Sequence, residues 1–135
     1  MSTGLLPITA ALRARHFANG EETIQLEVYV CDKTKDGDSF LDFETWVGLI
    51  SRAVCELAGG CQVYRGEGYW VRESDGELCR DGLATIKATV ERKRFIENVK
   101  RLRYVLVQYG REAEQEYVGL SLNGELFVIN PQEAY

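Results

Sequence analysis

One histidine in 135 residues, and four cysteines with no Cys-x-x-Cys pair among them, remove two common routes by which a small domain does chemistry. A hydrolytic triad or a general acid–base pair wants a base, usually histidine, and His16 lies in the least patterned part of the chain. Zinc wants four convergent ligands, usually in paired short spacings, and Cys31, Cys55, Cys61 and Cys79 offer none. We expect no metal, no cofactor, and reduced cysteines serving as small hydrophobes. No run approaches the roughly 20 apolar residues of a membrane span. In "MSTGLLPITAALRARHF" the positive charges come after the short apolar stretch, the reverse of a secretory signal, so the expected location is cytoplasmic. Repeats, low-complexity tracts, linkers, helix-turn-helix patterns and RNP-type motifs are all lacking.

What is present is an ordinary globular composition, 45% hydrophobic and 27% charged, at the size of one domain. Residues 1–22, punctuated by Gly4, Pro7 and Gly20, read as a loosely held N-terminal arm, and 23–135 as a single α+β domain. From Thr23, the residues Ile24, Leu26, Val28 and Val30 alternate with Gln25, Glu27 and Tyr29, the period of a half-buried strand. A helix comes next, with Asp42 as expected N-cap and Glu44 in its first turn. Its stripe is Phe43, Trp46, Val47, Ile50, Val54, Leu57 and Ala58, and Gly59-Gly60 is its stop. Cys61 to Glu73 is extended, Ser74 to Glu77 turns, and Leu83 to Val90 alternates as the third strand. A second helix from about Arg92 to Tyr109 buries Phe95, Val99, Leu102, Leu106 and Tyr109, with Gly110 as its stop. Asn123-Gly124 then separates two extended runs as a hairpin. This order predicts a ferredoxin-like antiparallel sheet with two helices on one face and an extra C-terminal hairpin strand.

The stretches "LEVYV", "WVGLI", "GGCQVYRGEGYWV" and "EQEYVGLSL", spread over Leu26 to Leu122, resemble a family of small bacterial ferredoxin-like proteins of unknown function. The resemblance implies that fold and transfers no activity. The N-terminal arm and the insert "ESDGELCRDG" depart from the family pattern.

Gly66-x-Gly68 is not a dinucleotide fingerprint, because the sixth position is Val71 and the residues beyond it are extended rather than helical. We read the glycines as a bulge in a strand, with a ligand-cradling loop as the alternative. Around them stand Arg65, Glu67, Tyr69, Trp70 and Arg72, a set suited to a planar or anionic ligand through stacking and forked hydrogen bonds. Core aromatics beside solvated arginines would look the same in sequence. Residues 91–111 carry seven Lys or Arg against two acids, net +5, leaving −10 on the rest of the chain. Lys93, Arg94, Lys100, Arg101 and Arg103 are therefore candidates for a nucleic acid or an acidic partner. The alternative is a solvated face salt-bridged to the acids of 32–42 or to Glu112, Glu114 and Glu116. Paired carboxylates such as Glu67 with Glu73, or the Gln115-Glu116 pair, define no reaction class.

The expected function is a non-catalytic binding or regulatory module for a small anionic ligand or a protein partner. Its rivals are a nucleic-acid accessory protein using the basic helix 92–111 and a small enzyme of unknown reaction. Self-association as a homo-oligomer is expected, because Tyr29, Tyr117 and Phe127 are placed on the sheet face away from the helices. No membrane partner is expected.

Overall fold

The computed structural model describes residues 22–133. The arm expected over 1–22, with His16, lies outside them except for Glu22. That residue is already tied to the body: its carbonyl accepts the Arg92 backbone N–H at 3.0 Å, and its carboxylate lies 3.5 Å from Arg92 Nε.

The alternation that opens the domain is the organising feature. In β1 (Thr23–Cys31) the residues Ile24, Leu26, Val28 and Val30 are all at most 1% exposed. β1 sits in the middle of a five-stranded sheet of order β2-β3-β1-β4-β5, every neighbouring pair antiparallel. The other strands are β2 (Gln62–Val71), β3 (Leu78–Glu91), β4 (Val118–Leu122) and β5 (Glu125–Ile129). Helices α1 (Phe43–Ala58) and α2 (Arg92–Glu112) join the buried side of β1 in one core. The fold is α+β with a ferredoxin-like arrangement, and β5 adds a strand beyond β4.

Both helix stripes are seated as their spacing requires, with Val47, Ile50, Val54 and Leu57 of α1 and Phe95, Leu102, Leu106 and Tyr109 of α2 buried. Gly59 ends α1 in the left-handed region at φ 91° and its N–H bonds Cys55 O at 2.7 Å. At the other end, Asp42 makes no side-chain cap bond, contrary to its expected role, and the Glu44 carboxylate turns instead to Arg65 of β2. Asn123 and Gly124 have φ of 52° and 84°, the pair of positive values that a two-residue hairpin turn demands. Asn123 also ties the turn to β1: it accepts Gln25 N–H through Oδ1 and donates its own N–H to Gln25 O, both at 2.9 Å.

Three expectations are corrected. The third strand begins at Leu78 rather than Leu83, since the second half of the apparent insert is strand paired with β2. Phe127 faces the helices at 7% exposure, because the two-residue turn sets Leu122 opposite Glu125, so Phe127 opposes inward-facing Leu120. Gly110 does not stop α2, which runs to Glu112. A Cβ at position 110 would come within 2.6 Å of Pro131 Cγ and 2.7 Å of Val118 Cγ2, so the glycine lets α2 lie against the chain at both ends of the β4-β5 hairpin.

Tyr109 fastens α2 to the end of β1. Its hydroxyl accepts the Cys31 N–H at 2.8 Å and donates to the Cys31 carbonyl at 3.1 Å. The ring lies tilted between Phe40 and Trp46, with centroids 6.1 and 6.2 Å away. Burial, more than the nearby charges, pushes the Tyr109 phenol well up, and burial with Asp81 and Asp32 pushes the Cys31 thiol up to about 11. Both groups are neutral in folded and unfolded chains below about pH 8.5, so their stabilisation is complete there. As pH rises the unfolded chain ionises first, and the contribution is lost on the way to the folded values.

In chemical denaturation, stability should therefore hold from pH 7 to 8 and fall above about pH 9. Tyr109→Phe should cost about 1–3 kcal/mol at pH 7, by orphaning both Cys31 backbone groups, and should flatten part of the alkaline fall. Separately, Gly110→Ala should destabilise by about 1–3 kcal/mol through overpacking. Exposed Gly48→Ala in α1, with open space around the new methyl, should instead stabilise by about 0.5–1 kcal/mol in the same thermal melts.

Candidate functional site

β2 and the first residues of β3, Leu78 to Gly82, are a part of the sheet that the helices leave largely uncovered. Every residue of β2 is exposed except half-exposed Gly68. Pairing runs without a break from Gln62 opposite Lys87 to Val71 opposite Leu78, so Gly66 and Gly68 form neither the expected bulge nor a loop. Neither has positive φ, and nothing lies within 4 Å of where their Cβ would be. They are plain extended residues on an edge strand.

The turn joining the strands is held by Arg72, whose guanidinium grips Asp75 at 3.0 and 2.7 Å, while Asp75 Oδ1 accepts the Glu77 N–H at 3.0 Å. That arginine and the backbone bond hold the Asp75 carboxyl below its ordinary value. Arg72 therefore shapes the tip of the hairpin.

Strand alternation divides the other candidates. Arg65 opposes Ala84, which is fully buried under the helices, so Arg65, Glu67 and Tyr69 stand in a row on the helix side. Trp70 stands on the opposite, open face with Tyr64. There burial raises the Asp81 carboxyl above its ordinary value, partly offset by the Lys33 charge and by nearby Trp70.

On the helix side a charged shelf is built from four elements. Arg65 makes a two-pronged bond to Glu44 of α1, at 2.7 and 2.9 Å, and its guanidinium lies 5.9 Å from the centre of the Phe43 ring. Glu67 pairs with Arg80 of β3 at 3.3 Å and accepts the Tyr69 hydroxyl at 3.1 Å. Opposite Glu67 is Gly82, where a Cβ would lie 2.2 Å from Asp32 Oδ2; the Asp32 carboxylate folds over the bare backbone and accepts the Gly82 N–H at 2.8 Å. Sequence reasoning found Arg65, Glu67 and Tyr69 and missed Glu44, Arg80 and Asp32. The alternation of β3 would have put Arg80 beside β2, but no local signal joins Glu44 to a residue 21 positions away.

The basic helix is engaged differently from expectation. Arg94 donates to the Glu56 carbonyl at 3.0 Å and Arg101 lies 3.7 Å from the Glu56 carboxylate, so α1 receives them rather than the acids of 32–42. Lys93 and Lys100 are exposed, and Arg103 is half-buried. Gln115, the neighbour of Glu116, is a brace: its side-chain amide donates to Lys33 O at 2.6 Å. A separate hollow of about 440 Å³ lies at the other end of β2, between Gly60-Gln62 and Lys87-Thr89. Its polar groups largely answer one another, Thr89 to Gln25 at 3.0 Å and Lys87 to Glu27 at 3.7 Å. Among the described residues no three metal-ligating side chains gather, and no helix is long and apolar enough to cross a membrane.

No protein-family model matches the chain, and no curated protein matches it by sequence. Its fold is similar to that of a phage SAM lyase solved in complex with S-methyl-5'-thioadenosine. The TM-score is 0.57 at 14% identity, over 88% of this chain and 95% of that one. The phage SAM lyase in its apo state aligns at TM-score 0.51 and 13% identity, over 79% and 88%. A Bacillus cereus protein related to NIF3 aligns at TM-score 0.51 and 17% identity, over 93% of this chain and 34% of that larger one. At these identities the likeness is one of fold.

Since both strand glycines are ordinary extended residues, Gly66→Ala and Gly68→Ala should each leave the melting temperature unchanged or raise it, by up to about 1 kcal/mol of stability. A clear loss in a thermal melt would show that one of these positions needs a glycine.

Proposed function

We propose that this protein binds a small ligand carrying a planar heterocycle and vicinal hydroxyls, a nucleoside thioether of the S-methyl-5'-thioadenosine kind, on the shelf of Glu44, Arg65, Glu67, Tyr69 and Arg80. The observation that carries this reading is the row Arg65, Glu67, Tyr69 standing exposed on a regular strand. The fold likeness to a lyase bound to that thioadenosine supports the ligand class. Because the Arg65 fork is filled by Glu44, an anion would have to displace a bidentate carboxylate, whereas a flat ring needs only a stacking face. That occupancy shifts the balance from an anionic ligand toward a planar one. Tyr69 supplies an aromatic face 57% exposed, and the Glu67 carboxylate accepts hydrogen bonds from sugar hydroxyls.

A lyase acting on SAM is the second reading, favoured by the fold shared with two lyase structures. The basic helix carries less weight, because Arg94 and Arg101 are turned to Glu56.

Isothermal titration of the full chain with S-methyl-5'-thioadenosine should give saturable binding. Glu67→Gln and Tyr69→Ala should each weaken it about tenfold or more without moving the melting temperature by more than a degree or two. Binding undisturbed by both substitutions would remove the shelf as the site. Release of S-methyl-5'-thioadenosine from SAM by the purified protein would establish the second reading.

A further inference from the structure

We propose that β2 is the contact between two copies of this chain, joined edge to edge about a two-fold axis through Gly66. Native edge strands are ordinarily protected by bulges, proline, shortness, charged side chains or a covering element. Of these β2 has, among the described residues, only its charges, Arg65 and Glu67, which oppose a foreign strand but not a complementary one: it is ten residues long, regular, free of proline, and exposed at every residue but half-exposed Gly68. Its unpaired backbone groups make it a template for another strand, and the sequence it presents specifies which one.

An axis normal to the sheet through Gly66 sets residues summing to 132 opposite one another. Arg65 then faces Glu67 of the second copy, and Glu67 faces its Arg65. Val63 faces Tyr69, and Tyr64 lies over Gly68, where no Cβ stands in its way. Cross-strand pairs of opposite charge, and of aromatic with β-branched side chains, are the favourable ones. Moving the axis by one residue in either direction sets Arg65 against Arg65 or Glu67 against Glu67, and directly opposed like charges are unfavourable. One register is therefore selected by charge complementarity, with the side-chain-free residue on the axis.

The same register extends the ion pairs already formed within each copy. Glu44 with Arg65, and Glu67 with Arg80, become one alternating chain of Glu44, Arg65, Glu67 and Arg80 running across the axis. All helices lie on the same side of the ten-stranded sheet that results, so the association is isologous and closed. It requires nothing of ligand binding, and its readout is mass alone.

Two measurements test it. In sedimentation velocity the full chain should be dimeric at tens of micromolar, and Arg65→Glu or Glu67→Arg should each raise the dissociation constant about tenfold or more. The double reversal, Arg65→Glu with Glu67→Arg, restores the pairing across the axis and should bind more tightly than either single reversal, though short of the unaltered chain because Glu44 and Arg80 then meet like charges within each copy. In the second experiment, Gly66→Cys treated with copper phenanthroline should give a covalent dimer on a non-reducing gel. Gly68→Cys, set about 13 Å from its symmetry mate at the strand rise per residue, should not, nor should the unaltered chain with its own four cysteines. Far-ultraviolet circular dichroism and a cooperative melt would certify that each variant is folded. A monomer at those concentrations, a dimer indifferent to both charge reversals, or equal cross-linking at positions 66 and 68 would overturn the proposal.

Discussion

Everything in this fold hangs on the two-sidedness of β1. One side, Ile24, Leu26, Val28 and Val30, is sealed, and the other, Gln25, Glu27, Tyr29 and Cys31, is not. Because β1 is the middle strand, its sealed side fixes which face of β3 and β4 turns inward, and both helices must come to that face. Two helices are enough to cover the centre. They do not reach the far half of β2 and β3, which therefore stands out as a bare hairpin.

That incompleteness has a physical signature in side-chain chemistry. Where the helices cover the sheet, the inward residues are aliphatic: Ala84, Ile86 and Val90 of β3 are fully buried. Where coverage ends, the same face of the hairpin switches to Arg65, Glu67, Tyr69 and Arg80, each engaged with a neighbour of opposite charge or a hydroxyl. The switch occurs within one strand, between Ala84 and Arg80 of β3. The hairpin thus carries, on the face its neighbours use for the core, a polar row that its own core does not enclose.

Architecture is legible in the sequence because periodicity reports burial directly. The β1 alternation, both helix stripes, the Gly59 stop and the Asn123-Gly124 turn are all readable, since each is a local pattern with a local cause. The departures share one character. A glycine can serve a turn, an extended strand or a close approach, and only the third dimension tells them apart: Gly66 and Gly68 are extended, while Gly110 makes room for Pro131 and Val118. Phe127 escapes a local reading for a related reason, since the parity of β5 is set by the turn before it rather than by its own residues. At the candidate site, Arg65, Glu67 and Tyr69 are visible because they sit two apart on one strand, and their partners are not.

The partners decide what the site can recognise. An arginine read alone is an anion receptor; an arginine whose fork already holds Glu44 is a positioned cation with a free face and a neutral total. Glu67, held by Arg80 and bonded by Tyr69, is likewise a fixed acceptor rather than a loose charge. Alternating charges that neutralise one another cost less to desolvate than any one of them would alone, although the paired group still resists losing water. A surface built this way can be covered, by a flat polar ligand or by an identical strand in register, without stranding a charge. Both the proposed ligand and the proposed strand pairing would rely on that property rather than on any single residue.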